Sequence, residues 1–138
     1  MRFRPNGTQR DRLEEVLHTI QLPSAVLNRA GNLSHGQKQW LEIGMLLMQE
    51  PELLMLDEPA AGLSSAETQA LGTRIVDIAH SGTAVLLVDH DMDLVLEICD
   101  RIFVLDFGRL IASGSPEQIQ KDTAVIEAYL GATSEVES

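Results

Sequence analysis

Apolar residues in the first fifty positions recur at helical spacing. Leu13, Val16, Leu17 and Ile20 fall three and four apart with Thr8 placed to cap them, which predicts an amphipathic helix over residues 8–20 that Pro23 ends. A loop through Asn28 and Gly31 leads to Ser34. Ser34 and Gln37 have the spacing of a capping box, and Trp40, Ile43 and Leu47 then share one helical face to about Gln49. After Pro51 the period changes. Residues 53–56 form an unbroken apolar run that stops at Asp57-Glu58-Pro59, the pattern of a strand buried on both faces in a parallel sheet. A second capping box, Ser64 with Glu67, opens a helix carried by Leu71, Ile75 and Ile78 to His80, where Ser81-Gly82 ends it. Residues 84–88 repeat the buried-strand pattern, stop at Asp89-His90-Asp91 and give way to a helix over 92–99. Residues 102–106 and 109–113, turning at Phe107-Gly108, predict a β-hairpin appended to the sheet. Ser115-Pro116 opens a short helix, residues 123–130 form a last one, and the polar end should be frayed.

Strand and helix alternate through short connections, which implies right-handed crossovers and an α/β fold with a mainly parallel sheet. Functional side chains then belong at the carboxyl ends of the strands. With 44% hydrophobic and 22% charged residues the chain is too apolar for a disordered one, and 138 residues suffice for one domain or a piece of one. Ten Lys and Arg against 21 Asp and Glu, a formal charge of -11, argue against a sequence-independent grip on nucleic acid. The single cysteine, Cys99, lies within an apolar helical pattern, so no disulfide framework exists and a reducing compartment with a buried thiol is expected. The longest apolar stretches, near 43–48 and 84–88, fall far below the ~20 residues that span a bilayer. No apolar segment follows the two arginines of MRFRPNGTQR, so no secretory signal is expected.

Three short segments carry candidate chemistry. A strand ending in Asp57 and Glu58 can hold Mg²⁺ through water on the first carboxylate and polarise an attacking water with the second; the same Asp-Glu-Pro also suits an ordinary turn. In LSHGQ, residues 33–37, the start of a helix offers backbone amides and the positive dipole end to a phosphate. Ser34 adds a hydroxyl, Gly36 room for close approach and Gln37 an amide, although a plain helix cap has the same sequence. His90, just past a strand, can hydrogen-bond a phosphate oxygen, or be an unremarkable surface histidine. The acidic run around it lacks the glycine and distal glutamate of a calcium loop.

In combination these segments are specific. LSHGQ, LLMLDEPAAGL and VDHD, in that order and spacing, resemble the ATP-binding-cassette (ABC) ATPases from near the first helix to residue 130. The resemblance implies part of a P-loop NTPase fold. Residues 1–50 would be a partial helical subdomain with the signature helix, 51–115 a partial ATPase core, and 116–138 a C-terminal helical extension and tail. It assigns Leu33, Ser34, His35, Gly36 and Gln37 to the signature motif that closes on the ATP of the opposite subunit. Asp57 and Glu58 become the Walker B pair, with Mg²⁺ on Asp57 through water and Glu58 as general base; Gly62, Leu63 and Ser64 become the D-loop, and His90 the switch histidine. His35 stands in place of the usual glycine, Ser64 of the usual aspartate and Asp89 of the common glutamate. LSHGQKQWLEIGMLL, DRIFVLDFGRLIASGSPEQIQ and VIEAYLG are similar to the importer branch for branched-chain amino acids, urea and short amides. That branch implies ATP and Mg²⁺, a second ATPase subunit, membrane permease subunits, and a cytoplasmic place on the inner face of the membrane. No GxxxxGK[ST] phosphate loop occurs in the 138 residues, so they are expected to form the C-terminal part of such an enzyme and not to turn over ATP alone. Two other readings compete: the C-terminal half of a chromosome-maintenance or DNA-repair ATPase, against which stand the negative charge and the lack of sustained heptads, and a non-catalytic interaction module.

Overall fold

Asn6, not Thr8, caps the first helix. Its side chain accepts the Gln9 amide at 2.8 Å while the Gln9 side chain accepts the Asn6 amide at 3.0 Å, so helix α1 runs Gly7–Ile20. A capping box sets the start earlier than the hydrophobic period alone indicated. The computed structural model describes residues 6–22 and 29–130; the Pro23 stop, the loop through Asn28 and the tail beyond residue 130 lie outside these. After a 3₁₀ turn at Ala30–Asn32 come α2 (His35–Leu47), β1 (Leu53–Asp57), α3 (Ser65–His80) and β2 (Ala84–Val88), then α4 (Met92–Ile98), β3 (Ile102–Asp106), β4 (Arg109–Gly114), α5 (Pro116–Lys121) and α6 (Thr123–Val125), which continues as a π-helical turn Ile126–Leu130.

These elements form two compact units, Met1–Val88 and Asp89–Ser138. In the first, β1 and β2 pair in parallel, with Met55 opposite Leu86 and Asp57 opposite Val88. The expectation that β1 is buried on both faces is not met. Leu54 and Leu56 are buried, whereas Leu53 is 52%, Met55 66%, Leu86 45% and Val88 55% exposed. Since residues paired in parallel register share a face, one face of the sheet packs inward and the other is an open apolar surface. Inward, α3 packs on β2, and α1 packs on both α2 and α3 through Val16, Ile20, Trp40, Ile43, Leu71, Ile75 and Ile78. Gly44 is what lets α1 and α2 approach so closely: a Cβ there would lie 2.7 Å from Ile20 Cδ1. Two arginines fasten the helices. Arg12 donates to the Leu47 carbonyl at 2.8 Å, a part-buried bond at the C-terminal turn of α2, and Arg74 donates to the Ile20 carbonyl at 3.2 Å while stacking 4.6 Å above the Trp40 ring.

In the second unit β3 and β4 pair antiparallel in a sheet of their own, not as an appendage of the parallel one. The Phe107-Gly108 turn places both residues in the left-handed region. Ser115 caps α5 with proline at its start, as its sequence indicates, and α5 and α6 pack on β4 around Ile119 and Val125. Tyr129 donates its hydroxyl to the Leu105 carbonyl. Cys99 is half-buried, and burial, followed by the neighbouring Asp100 charge, pushes its thiol pKa up.

Candidate functional site

The end of β1 shows how the sequence presents two adjacent carboxylates. Asp57 is the last strand residue and is exposed; Glu58 turns left-handed at φ 46°, and its amide donates to the Val88 carbonyl at 2.7 Å. The ladder thus continues one residue past the strand while the backbone turns between the two side chains, which allows them different partners. Proline at 59, fully buried, leaves no N–H to extend the strand further. The Ala61 amide then donates to the Glu58 carbonyl at 3.1 Å, the Leu63 amide to that of Ala60 at 3.1 Å, and Gly62 takes φ 76°, a conformation natural to glycine. A depression of ≈ 250 Å³ beside this strand end is lined by Met55, Leu56, Asp57, Leu86 and Val88. Asp57 is its one ionisable wall. An exposed carboxylate at a strand end suits Mg²⁺, which keeps most of its waters and takes one or two carboxylates.

Ser34 and Gln37 form the predicted capping box: Ser34 Oγ accepts the Gln37 amide at 3.2 Å, and Gln37 Oε1 accepts the Ser34 amide at 3.0 Å. The cap leaves the chemistry of LSHGQ intact. Ser34 Oγ acts as acceptor in the box, so its hydrogen can still point to a ligand, and Gln37 uses its oxygen while its NH₂ remains a donor. Leu33 is buried as the anchor of this turn, and nothing lies within 4 Å of a Cβ built on Gly36, so the approach to the amides is open. Ser64 caps α3: its amide and hydroxyl both donate to Glu67 Oε2 at 2.8 Å, which holds the Glu67 carboxyl below its usual pKa. Serine is among the residues that best satisfy the free amides at a helix start.

In the second unit His90 is 75% exposed at its side chain, with Nδ1 4.0 Å from Asp89 Oδ1. The Asp89 side chain is buried and accepts the Asp91 amide at 3.0 Å, and Asp91 caps α4. Sequence reasoning missed Gln39 and Arg74. Gln39 Nε2 donates to the Pro59 carbonyl at 3.1 Å, and Arg74 reaches α1 and Trp40; both contacts join residues far apart in sequence, which spacing within a motif cannot reveal.

A family model described as "ABC transporter" matches residues 1–61, and one described as "Branched-chain amino acid ATP-binding cassette transporter" matches residues 109–134. The chain belongs to the ABC transporter ATP-binding family. It is 45% identical over 122 residues to the high-affinity branched-chain amino acid transport ATP-binding protein LivG of Escherichia coli, covering 88% of this chain and 48% of that protein. To BraF of Pseudomonas aeruginosa, named for the same transport, identity is 41% over 128 residues, covering 90% and 50%. Among solved structures, the ADP conformation of MJ1267, an ATP-binding cassette of an ABC transporter, superposes with TM-score 0.78 at 28% identity over 93% of this chain and 52% of that one. The α/β architecture is therefore part of the P-loop ATPase cassette fold, and the chain spans about half the length of the curated relatives it matches. These relatives are transport proteins, which favours the transporter over the chromosome-maintenance reading. Among the described residues no helix is long and apolar enough to cross a membrane.

Proposed function

We propose that this chain supplies the closing and hydrolysing residues of the ATPase subunit of an ABC importer, with branched-chain amino acids the favoured substrates and urea or short amides the alternatives. The observation that carries this reading is the end of β1, where Asp57 and Glu58 stand exposed on a backbone pinned to β2. Asp57 would hold Mg²⁺ through water, and the ion would supply charge neutralisation at the phosphate oxygens. Glu58 accepts a proton from the attacking water, and His90 hydrogen-bonds a γ-phosphate oxygen. Leu33 seats the signature turn in the core, so that Ser34, the amides of His35 and Gly36, and Gln37 can bind the ATP of the opposite subunit at a helix N-terminus. Gly62, Leu63 and Ser64 form the loop that meets that subunit.

No phosphate loop occurs in these residues, so a nucleotide pocket requires chain from elsewhere. The open apolar face of Leu53, Met55, Leu86 and Val88 supports this, because a surface of that kind is normally covered by further protein. The assembled enzyme works as a pair of ATPase subunits on a membrane permease, bound peripherally at the cytoplasmic face. Its test is Glu58→Gln in the assembled enzyme. Hydrolysis should fall by ~10²-fold or more while ATP still draws the two subunits together, which size-exclusion chromatography reads directly. Unchanged turnover would remove Glu58 as the base.

A further inference from the structure

The signature helix and the turn that carries Glu58 are joined by a side chain that no motif includes. Gln39 lies five residues after Ser34, about 7.5 Å along the axis of α2. Its Nε2 donates to the Pro59 carbonyl at 3.1 Å in a part-buried setting. Pro59 has no N–H, so this carbonyl is its sole backbone hydrogen-bonding group, and its ring is fully buried. The preceding residue, Glu58, is held by its own amide to β2 and by its carbonyl to Ala61. The turn is therefore tied at successive residues, first to the sheet and then, through Gln39, to the helix that begins at the signature serine.

We propose that Gln39 is a positioning residue that couples α2 to the Glu58 turn. Movement of the signature helix on one subunit's ATP is thereby passed to the general base serving the other ATP. The idea rests on the roles proposed above for Ser34 and Glu58. It adds that the two pockets communicate within one chain through a single hydrogen bond, so that closure at one sets the base at the other. Gln39 itself touches neither nucleotide.

The test compares Gln39→Leu, which removes the donor, with Gln39→Lys, which keeps one, and with Glu58→Gln, all in the complete two-subunit ATPase. With Gln39→Leu, kcat should fall by about tenfold, the scale of one hydrogen bond. The KM for ATP should stay at its wild-type value, the melting temperature should fall by only a few degrees, the scale of one lost hydrogen bond, and Gln39→Lys should restore kcat to within about threefold. Amide exchange at Glu58 and Ala61 should quicken by a similar factor in Gln39→Leu and return in Gln39→Lys. Wild-type kcat or wild-type exchange in Gln39→Leu overturns the coupling, as does a loss of kcat that tracks the melting temperature and is not restored by lysine. If Glu58→Gln retains full turnover, the assignment of the base has failed instead; if it abolishes turnover while Gln39→Leu does nothing, only the coupling has.

Discussion

Replacing Arg74 by alanine should destabilise the first unit through a set of contacts that can be priced one by one. The guanidinium stacks 4.6 Å from the centroid of Trp40, donates to the Ile20 carbonyl at 3.2 Å and reaches Gln21 Oε1 at 3.0 Å. A partly desolvated cation–π contact contributes about 0.5–1 kcal/mol. The charge-assisted bond to a C-terminal helix carbonyl contributes about 1–1.5 kcal/mol. The Gln21 contact is exposed and adds little. Burial opposes these gains, since it holds the Arg74 pKa below that of a free guanidinium, so the net loss in Arg74→Ala is about 1.5 kcal/mol. For a unit of this size that corresponds to a fall in melting temperature of roughly 10 °C. The protein has one tryptophan, and it is the residue under the arginine, so equilibrium urea unfolding followed by Trp40 emission reads the perturbed site itself. Emission should also shift to the red as one ring face opens to water. Arg74→Lys should recover part of the loss but not all, because an ammonium lacks the planar fork. Unfolding of Arg74→Ala within about 0.5 kcal/mol of wild type, the range of an ordinary surface change, with unshifted emission, would refute the reasoning.

Glu67 titrates with its pKa lowered, chiefly by the Ser64 amide and then by its hydroxyl, so the ionised cap stabilises the fold above the carboxyl's unfolded value and that stabilisation is lost as pH falls through the lower folded one. Glu67→Gln should therefore melt below wild type at pH 7 and level with it in strong acid, and an equal gap at both would contradict the cap. Gly62 has φ 76° and open space around it, so Gly62→Ala should cost about 1–2 kcal/mol from backbone strain alone in a urea titration; no change would mean the turn relaxes freely. A double change, Met55→Glu with Leu86→Glu, should reduce self-association of the chain in sedimentation velocity, because both sit on the open apolar face. Association that survives both charges would place the sticky surface elsewhere.

Local chemistry was the readable part of this sequence. The capping boxes at Ser34 and Ser64 form as their spacing indicates, Ser115-Pro116 opens a helix as expected, and each strand and helix falls within a few residues of its predicted place. These facts follow from interactions three or four residues apart. Two readings failed where the deciding partner is distant. The unbroken run at residues 53–56 is equally the mark of a strand covered on both faces and of one covered on a single face, and Met55 at 66% exposure belongs to the second case. The hairpin at residues 102–114 reads correctly as a hairpin but not as part of the parallel sheet, because sequence period says nothing about which edge a strand joins. At the site, the motifs pointed to Asp57, Glu58, Ser34 and His90, while Gln39 and Arg74 became visible only through contacts spanning 20 and 54 residues.

The proposed division of labour has these residues close and hydrolyse while a phosphate loop from outside them holds the ATP. Mg²⁺-dependent phosphate release, measured for the chain alone and for the chain joined to the part of E. coli LivG that lies outside the matched residues, tests it most directly. The prediction is no turnover by the chain alone, hydrolysis by the joined protein, and loss of that hydrolysis in its Glu58→Gln form. Sustained Mg²⁺-dependent release by the purified chain, or a joined protein indifferent to Glu58→Gln, would contradict it.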